Sequence, residues 1–180
     1  LRKADSRVQI DLNSIAKGYT VDLVADSLEA FGIEDYMVNI GGEIRCKGYN
    51  SKGERWSIGI ETPYDGNMSM DSFEKIIYVA DRAVATSGNY RRYYLDAEGR
   101  KVAHTIDPHT GKSVITNLLS ATVIAPTCAE ADAYGTMFMA MGDNAAVALA
   151  ADMRDSVQVY FILAPREGDE QFEIFSTLEE

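Results

Sequence analysis

The sequence predicts an α+β domain built on an antiparallel or mixed sheet, and three observations carry that expectation. Short runs of strand character outnumber helix-period segments and mostly follow one another directly, unlike the strand–helix alternation of a doubly wound sheet. A few segments repeat apolar residues at helical spacing instead. The chain has 180 residues, 46% hydrophobic and 25% charged, which suits one globular domain with a full core and excludes general disorder.

The elements follow in order. Val8, Ile10 and Leu12 alternate with polar residues and predict a short strand. Ser14 to Phe31 predicts a helix, because Val21, Val24, Leu28 and Phe31 form one apolar stripe and Gly32 supplies a left-handed stop. Tyr36–Ile40 and Glu43–Lys47 read as strands around Gly41-Gly42, and a turn over Asn50–Gly53 leads to the strand Trp56–Ile60. Thr62 to Ser72, with Pro63 and Asp65-Gly66, reads as a loop before the strand Lys75–Val79. Ala83–Ala85 leads into Thr86-Ser87-Gly88, and Tyr90–Leu95 pairs with Val102–Ile106 across an Asp96–Gly99 turn. Leu118–Ala125 is a long strand that Pro126 breaks. Thr127 with Glu130 makes a capping box opening the helix Cys128–Met141, which Gly142 ends. Asn144 caps a further helix to about Ala151, and Val157–Leu163 and Phe172–Phe175 close the chain as strands.

Charge limits the partners. Lysine and arginine number 17 against 28 aspartates and glutamates, a formal net charge of −11. No basic run exceeds two residues, so the footprint needed to grip a nucleic-acid backbone is missing. Any phosphate must be held by backbone groups, a metal or single basic residues. Six carboxylates and one Arg between Arg166 and Glu180 read as a solvated tail. Cys46 and Cys128 are too few for a disulfide framework or a metal cluster and read as two buried thiols, with a single bridge as the alternative. No apolar run approaches the ~18 residues of a membrane span, and no signal peptide is visible. The chain opens on Leu1 and soon enters a strand-like pattern, as expected of a fragment.

Four places carry polar residues that the elements do not require. In Asp11-Leu12-Asn13-Ser14-Ile15-Ala16-Lys17-Gly18-Tyr19 a strand runs into a helix N-terminus, whose free N–H groups and positive dipole end suit a phosphate. Lys17 is unfavourable there for helix stability, which hints at function; otherwise Ser14 is a cap and Lys17 is solvated. Gly41-Gly42-Glu43 permits a bulge or close approach of backbone to a ligand, or an ordinary turn. In His104-Thr105-Ile106-Asp107-Pro108-His109-Thr110-Gly111 the turn explains Asp107, Pro108 and Gly111 but does not need His104, which sits where a general base could project. Asp132 and Thr136 share a helix face amid Ala131, Ala133, Met137, Phe138 and Met139. A buried carboxylate there needs a partner, and Mg²⁺ fits; alternatively Asp132 is superficial and Thr136 bonds back to its carbonyl.

In order, these segments resemble the ApbE family of flavin transferases. The family pattern Asp-Leu-x-x-Ile-Ala-Lys-Gly-Tyr is matched by Asp11 to Tyr19, with Asp22 further on, and Asn-x-Gly-Gly-[Asp/Glu]-Ile-Arg by Asn39 to Arg45. Ala-Thr-Ser-Gly-[Asn/Asp]-Tyr stands at Ala85 to Tyr90, His-x-Ile-Asp-Pro-x-Thr-Gly at His104 to Gly111, and Ala-Asp-Ala-x-x-Thr at Ala131 to Thr136. Departures are Asn13-Ser14 where the family usually has Gly-Gly, and His109 where it has a basic residue.

The resemblance implies an ApbE-like, T-fold-like α+β fold, one domain over residues 1–180, and absence of the family's N-terminal region. It implies Mg²⁺-dependent cleavage of FAD, with the FMN half moved to a Thr of an acceptor flavoprotein and AMP released. Mg²⁺ would rest on Asp132, Thr136 and the backbone carbonyl of Ser14. FAD would be met by Asp11, Lys17, Glu43, Thr86, Ser87, Gly88 and the backbone near Ile106. His104, with Lys17, would be catalytic, His104 as the base that deprotonates the Thr hydroxyl. The implied acceptor is a membrane redox subunit or secreted flavoprotein. The transferase would be an anchored lipoprotein on the outer side of the cytoplasmic membrane. The same site could serve an FAD pyrophosphatase, and a non-catalytic flavin-binding module is the third possibility.

Overall fold

The computed structural model describes residues 2–63, 73–89, 93–95, 101–103, 105–166 and 168–178, with backbone alone for 93–95 and 101–103. Three helices, α1 (Ala16–Ala30), α2 (Cys128–Met141) and α3 (Asp143–Asp152), lie with strands β1 (Tyr36–Ile40), β2 (Glu43–Lys47), β3 (Trp56–Glu61), β4 (Phe73–Val79) and β5 (Arg82–Gly88). The remaining strands are β6 (Tyr93–Leu95), β7 (Lys101–Ala103), β8 (Leu118–Ala125), β9 (Gln158–Leu163) and β10 (Glu173–Ser176). The main sheet runs β1-β2-β5-β8-β9-β10 with every neighbour antiparallel. The fold is α+β.

Alternation along the strands sends side chains to two different cores. One face, with Ala85, Ala121, Val123, Val159 and Phe161, packs against Ala131, Phe138 and Met139 of α2 and Ala146 and Ala150 of α3. Tyr36, Val38 and Ala83 on that face meet Val21 and Ala25 of α1. The opposite face, with Ile44, Cys46, Val84, Ile124 and Ile162, is covered by Ile58, Ile60, Ile77 and Val79 of the β3–β4 hairpin. The domain is therefore three layers deep: helices, sheet, hairpin.

Local chemistry sets several boundaries. Phe31 ends α1, and Gly32 at φ 79° lets the Ile33 N–H reach the Leu28 carbonyl, the Schellman closure expected at that glycine. Thr127 and Glu130 form both bonds of the capping box, and α2 spans the predicted residues. Both thiols are free and buried, and burial pushes each pKa up to about 12.

Other expectations need correction. Val8–Leu12 forms no strand: no segment among the described residues offers it a ladder, and Val8, Ile10 and Leu12 stay half exposed, so alternation alone does not make a strand. Gly142, not Asn144, is the N-cap of α3, which begins at Asp143 with no side-chain cap. Among the described residues β6 and β7 pair over Tyr93–Leu95 and Lys101–Ala103, within the expected hairpin, and Ile106, expected to pair there, makes an isolated bridge with Ser113. Most of the Thr62–Ser72 loop, Tyr90 and the Asp96–Gly99 turn lie outside the described residues. The acidic C-terminal stretch is not wholly a tail, because β10 pairs along β9 and Arg166 holds Glu173 across its approach (3.0 Å).

Candidate functional site

The site starts at the crossing of α1 and α2. Ile15 is the N-cap of α1 and gives no side-chain cap, so Ser14 is not the cap its residue type suggested. Gly18 in the first turn donates its N–H to Asp132 Oδ2 on α2 (2.9 Å). In return Asp22 on α1 accepts the N–H groups of Cys128 and Ala129, both at 2.9 Å, that open α2. The helices touch closely at Gly18, where a Cβ would lie 2.3 Å from the Cys128 carbonyl oxygen. Only glycine fits there.

Lys17, beside this contact, forms an ion pair with Glu43 Oε1. Glu43 is the first residue of β2, placed by the two-residue turn Gly41-Gly42, whose φ values of 66° and 102° match a primed hairpin turn. The glycine pair is thus an ordinary hairpin turn that also borders the site. Glu43 is 2% exposed, and its Oε2 has no hydrogen-bond partner among the described residues. Burial raises the Glu43 pKa against the pull of Lys17, and the nearby Asp132 charge adds to the rise. Asp132 is 3% exposed; burial raises its pKa too, opposed by the Gly18 N–H and by Lys17.

These groups open onto a cleft of about 1040 Å³ that runs past the sheet from the helix layer to the hairpin layer. Thr86, Ser87 and Gly88 at the end of β5 line it, with Thr86 and Thr122 joined through their hydroxyls (2.9 Å). Thr136 lines it one turn beyond Asp132. No back-bond from Thr136 to the Asp132 carbonyl is found among the described residues, and Asp132 is not superficial, so the bland reading of this pair fails.

The cleft unites Lys17, Glu43, Thr86, Ser87, Gly88, Asp132 and Thr136. It does not include Asp11, whose exposed carboxylate accepts the Asn13 N–H (2.8 Å), nor Ser14, although neighbouring Asn13 and Ala16 line it. Ile106 is half exposed outside the lining, while adjacent Thr105 lies within it. His104 lies outside the described residues. Sequence reasoning missed Asp22 as a cap, although a carboxylate beside the apolar stripe position Val21 was a signal. It also missed the wall supplied by β3 and Phe73, for which no local signal existed.

The donors fit a hard cation. Asp132 Oδ2 is engaged by Gly18, which leaves the other carboxylate oxygen for a ligand, and the Thr136 hydroxyl shares its face. The Ser14 carbonyl accepts none of the backbone bonds at the start of α1, since Gly18 bonds to Asp132 instead. No cluster of three His, Cys, Asp or Glu exists among the described residues. A cation would therefore rest on one carboxylate and uncharged oxygens.

The fold and this cleft define a class. The family model "ApbE family" matches residues 1–161, and the chain belongs to that family. Among its relatives, an FAD:protein FMN transferase of Vibrio cholerae is 40% identical over 172 residues, covering 96% of this chain and 50% of that protein. One from Haemophilus influenzae is 40% identical over 168 residues, covering 93% of this chain and 47% of that protein. The apo crystal structure of the Pseudomonas stutzeri flavinyl transferase ApbE superposes with a TM-score of 0.77 at 36% identity, over 93% of this chain and 49% of that one. The ApbE protein of Thermotoga maritima gives 0.79 at 30% identity, over 94% and 51%. The chain spans about half the length of the relatives it matches.

Proposed function

We propose that the chain carries the catalytic half of an Mg²⁺-dependent FAD:protein FMN transferase. The observation that carries this reading is the gathering of Lys17, Asp132 and Thr136 in one cleft at the start of α1. In the reaction the FAD pyrophosphate P–O bond breaks, a new P–O bond forms to the Thr hydroxyl of the acceptor, and AMP leaves. Such phosphoryl transfer depends mainly on positioning and charge neutralisation.

Among the described residues Lys17 is the cleft's cation toward phosphate or ribose, but Glu43 already pairs with it. With Asp132 also ionised the three groups carry one net negative charge, which repels a pyrophosphate. Asp132, Thr136 and the Ser14 carbonyl would hold Mg²⁺, which would supply the missing positive charge. Thr86, Ser87, Gly88 and Glu43 line the nucleotide's path, with Asp11 and the backbone near Ile106 at its margins. His104 takes the proton of the Thr hydroxyl. The acceptor is a membrane redox subunit or secreted flavoprotein, met on the outer side of the cytoplasmic membrane.

The test is to incubate the protein with FAD, Mg²⁺ and a Thr-bearing acceptor peptide and to weigh the peptide. An FMN adduct with equimolar AMP is expected. AMP without adduct would make the protein an FAD pyrophosphatase, and neither product would leave only a flavin-binding module.

A further inference from the structure

The cleft has two ends. Lys17, Glu43, Asp132 and Thr136 line it on the helix side of the sheet, and Thr86, Thr122, Ser57 and Glu61 line it toward the hairpin. Its far wall belongs to the hairpin layer, which Ile58 and Ile60 border from the face packed on the sheet and Phe73 from the face of Gly59. Phe73 is the one aromatic side chain among the described residues lining the cleft, and it is 51% exposed. No other aromatic ring among the described residues stacks on it.

Its ring is held from behind. A Cβ on Gly59, in the middle of β3, would stand 2.3 Å from Phe73 Cδ1 and 2.4 Å from Cε1, so the ring lies directly over the glycine. Gly59 has no unusual backbone angle to explain it. A glycine inside a strand weakens the strand, and here the gain is room for the ring. A flat apolar surface is thereby fixed at the cleft wall, as stacking on a planar ligand requires.

We infer that Phe73, cradled by Gly59, is a stacking platform for a planar heteroaromatic ring of the dinucleotide, at the opposite end of the cleft from the Lys17–Asp132 pyrophosphate site. This rests on the FAD reading above. A dinucleotide has a ring at each end of its charged centre, and one ring reaches the hairpin layer when the pyrophosphate lies at the helix layer. The isoalloxazine and the adenine share the chemistry, and separate ligands distinguish them.

Binding of FAD, FMN and ADP to the purified chain, measured with Mg²⁺ by flavin fluorescence or calorimetry, tests the assignment. Phe73→Leu keeps apolar bulk without the flat face, and Phe73→Trp restores it. Gly59→Ala keeps Phe73 but drives the ring off its seat. Phe73→Leu and Gly59→Ala should each weaken FAD binding about 10-fold, and Phe73→Trp should bind like the parent. Loss confined to FMN places the isoalloxazine on Phe73, and loss confined to ADP places the adenine there. Inorganic pyrophosphate should bind all four proteins alike, which separates loss of stacking from loss of fold. If the parent binds FAD and both variants stay within twofold of it, the platform is wrong and the FAD reading stands. If the parent binds none of the ligands, both fall.

Discussion

Asp22 and Asp132 exchange helix caps. Asp22, on α1, takes the Cys128 and Ala129 N–H groups that begin α2, and Asp132, on α2, takes the Gly18 N–H in the first turn of α1. The other helix thus satisfies one first-turn donor of α1 and two of α2, while the positive dipole ends hold two carboxylates in place. The two are not equivalent. Asp22 is also held by Arg45 Nη1 (3.0 Å) on the helix side of β2, whereas Asp132 borders the cleft.

Asp22→Ala should therefore act on stability. It strands two backbone N–H groups, one of them buried, and leaves Arg45 without its nearest carboxylate. A loss of about 2–4 kcal/mol is expected from unsatisfied donors and a missing cap. Urea unfolding measures it. A loss under about 0.5 kcal/mol would mean that water or Asp26 replaces Asp22.

Asp132→Asn should separate the cap from the chemistry. An amide oxygen can still accept the Gly18 N–H, so stability should stay within about 1 kcal/mol of the parent. The anionic ligand is gone, so Mg²⁺-dependent release of AMP from FAD should fall to background. Asp132→Ala should lose both, since it also removes the cap. Magnesium titrations of AMP release on Asp132→Asn decide this, and activity within a few-fold of the parent would remove Asp132 from the metal site.

Lys17 and Glu43 give a prediction in pH. Because burial raises the Glu43 pKa in the folded protein, the folded state binds the proton more tightly than the unfolded one. Glu43 then favours folding below its ordinary value of 4.5, and that contribution is lost as pH rises through the elevated value. Glu43→Gln should flatten the decline in stability over that window. Lys17→Ala removes the partner of a carboxylate that is 2% exposed, so it should destabilise the protein at neutral pH and less so in acid. This reverses what the helix dipole alone implies, namely relief when a cation leaves a helix N-terminus. Unfolding curves for both variants from pH 4 to 8 measure it. A Lys17→Ala protein as stable as the parent at pH 7 would show the ion pair to be unimportant.

How far the sequence could be read follows from the range of the interactions. The bounds of α2 were legible because Thr127, Glu130 and Gly142 act within a turn of themselves. Its apolar helical neighbours made a buried Asp132 one of two readings, and its burial decides between them. Its first partner was not legible, because Gly18 is 114 residues away in the chain. Glu43 stood out only through its glycine turn, and its pairing with Lys17 joins two layers that no local pattern connects. The strand expected at Val8–Leu12 failed for the complementary reason: alternation specifies a face, but a strand also needs a neighbour.

The proposed base gives the last prediction. His104 was chosen because the turn after it does not need an imidazole, and the structure removes its nearest rival. Asp107 spends both carboxylate oxygens on that turn, accepting from the His109 N–H and the Thr110 hydroxyl, each at 2.8 Å. Those bonds lower its pKa, so it is a poor proton acceptor at neutral pH. His104→Ala should slow transfer to the acceptor peptide about 10²–10⁴-fold while FAD affinity changes little. The rate should also lose its acidic limb, because protonation of the imidazole would no longer switch off the base. Asp107→Asn, by contrast, can still accept the His109 N–H and should retain both the rate within a few-fold and the limb. Rates of adduct formation from pH 5 to 9 for the two variants compare them directly. If Asp107→Asn loses the limb and His104→Ala keeps it, the roles are exchanged, and the turn would have to open during the reaction.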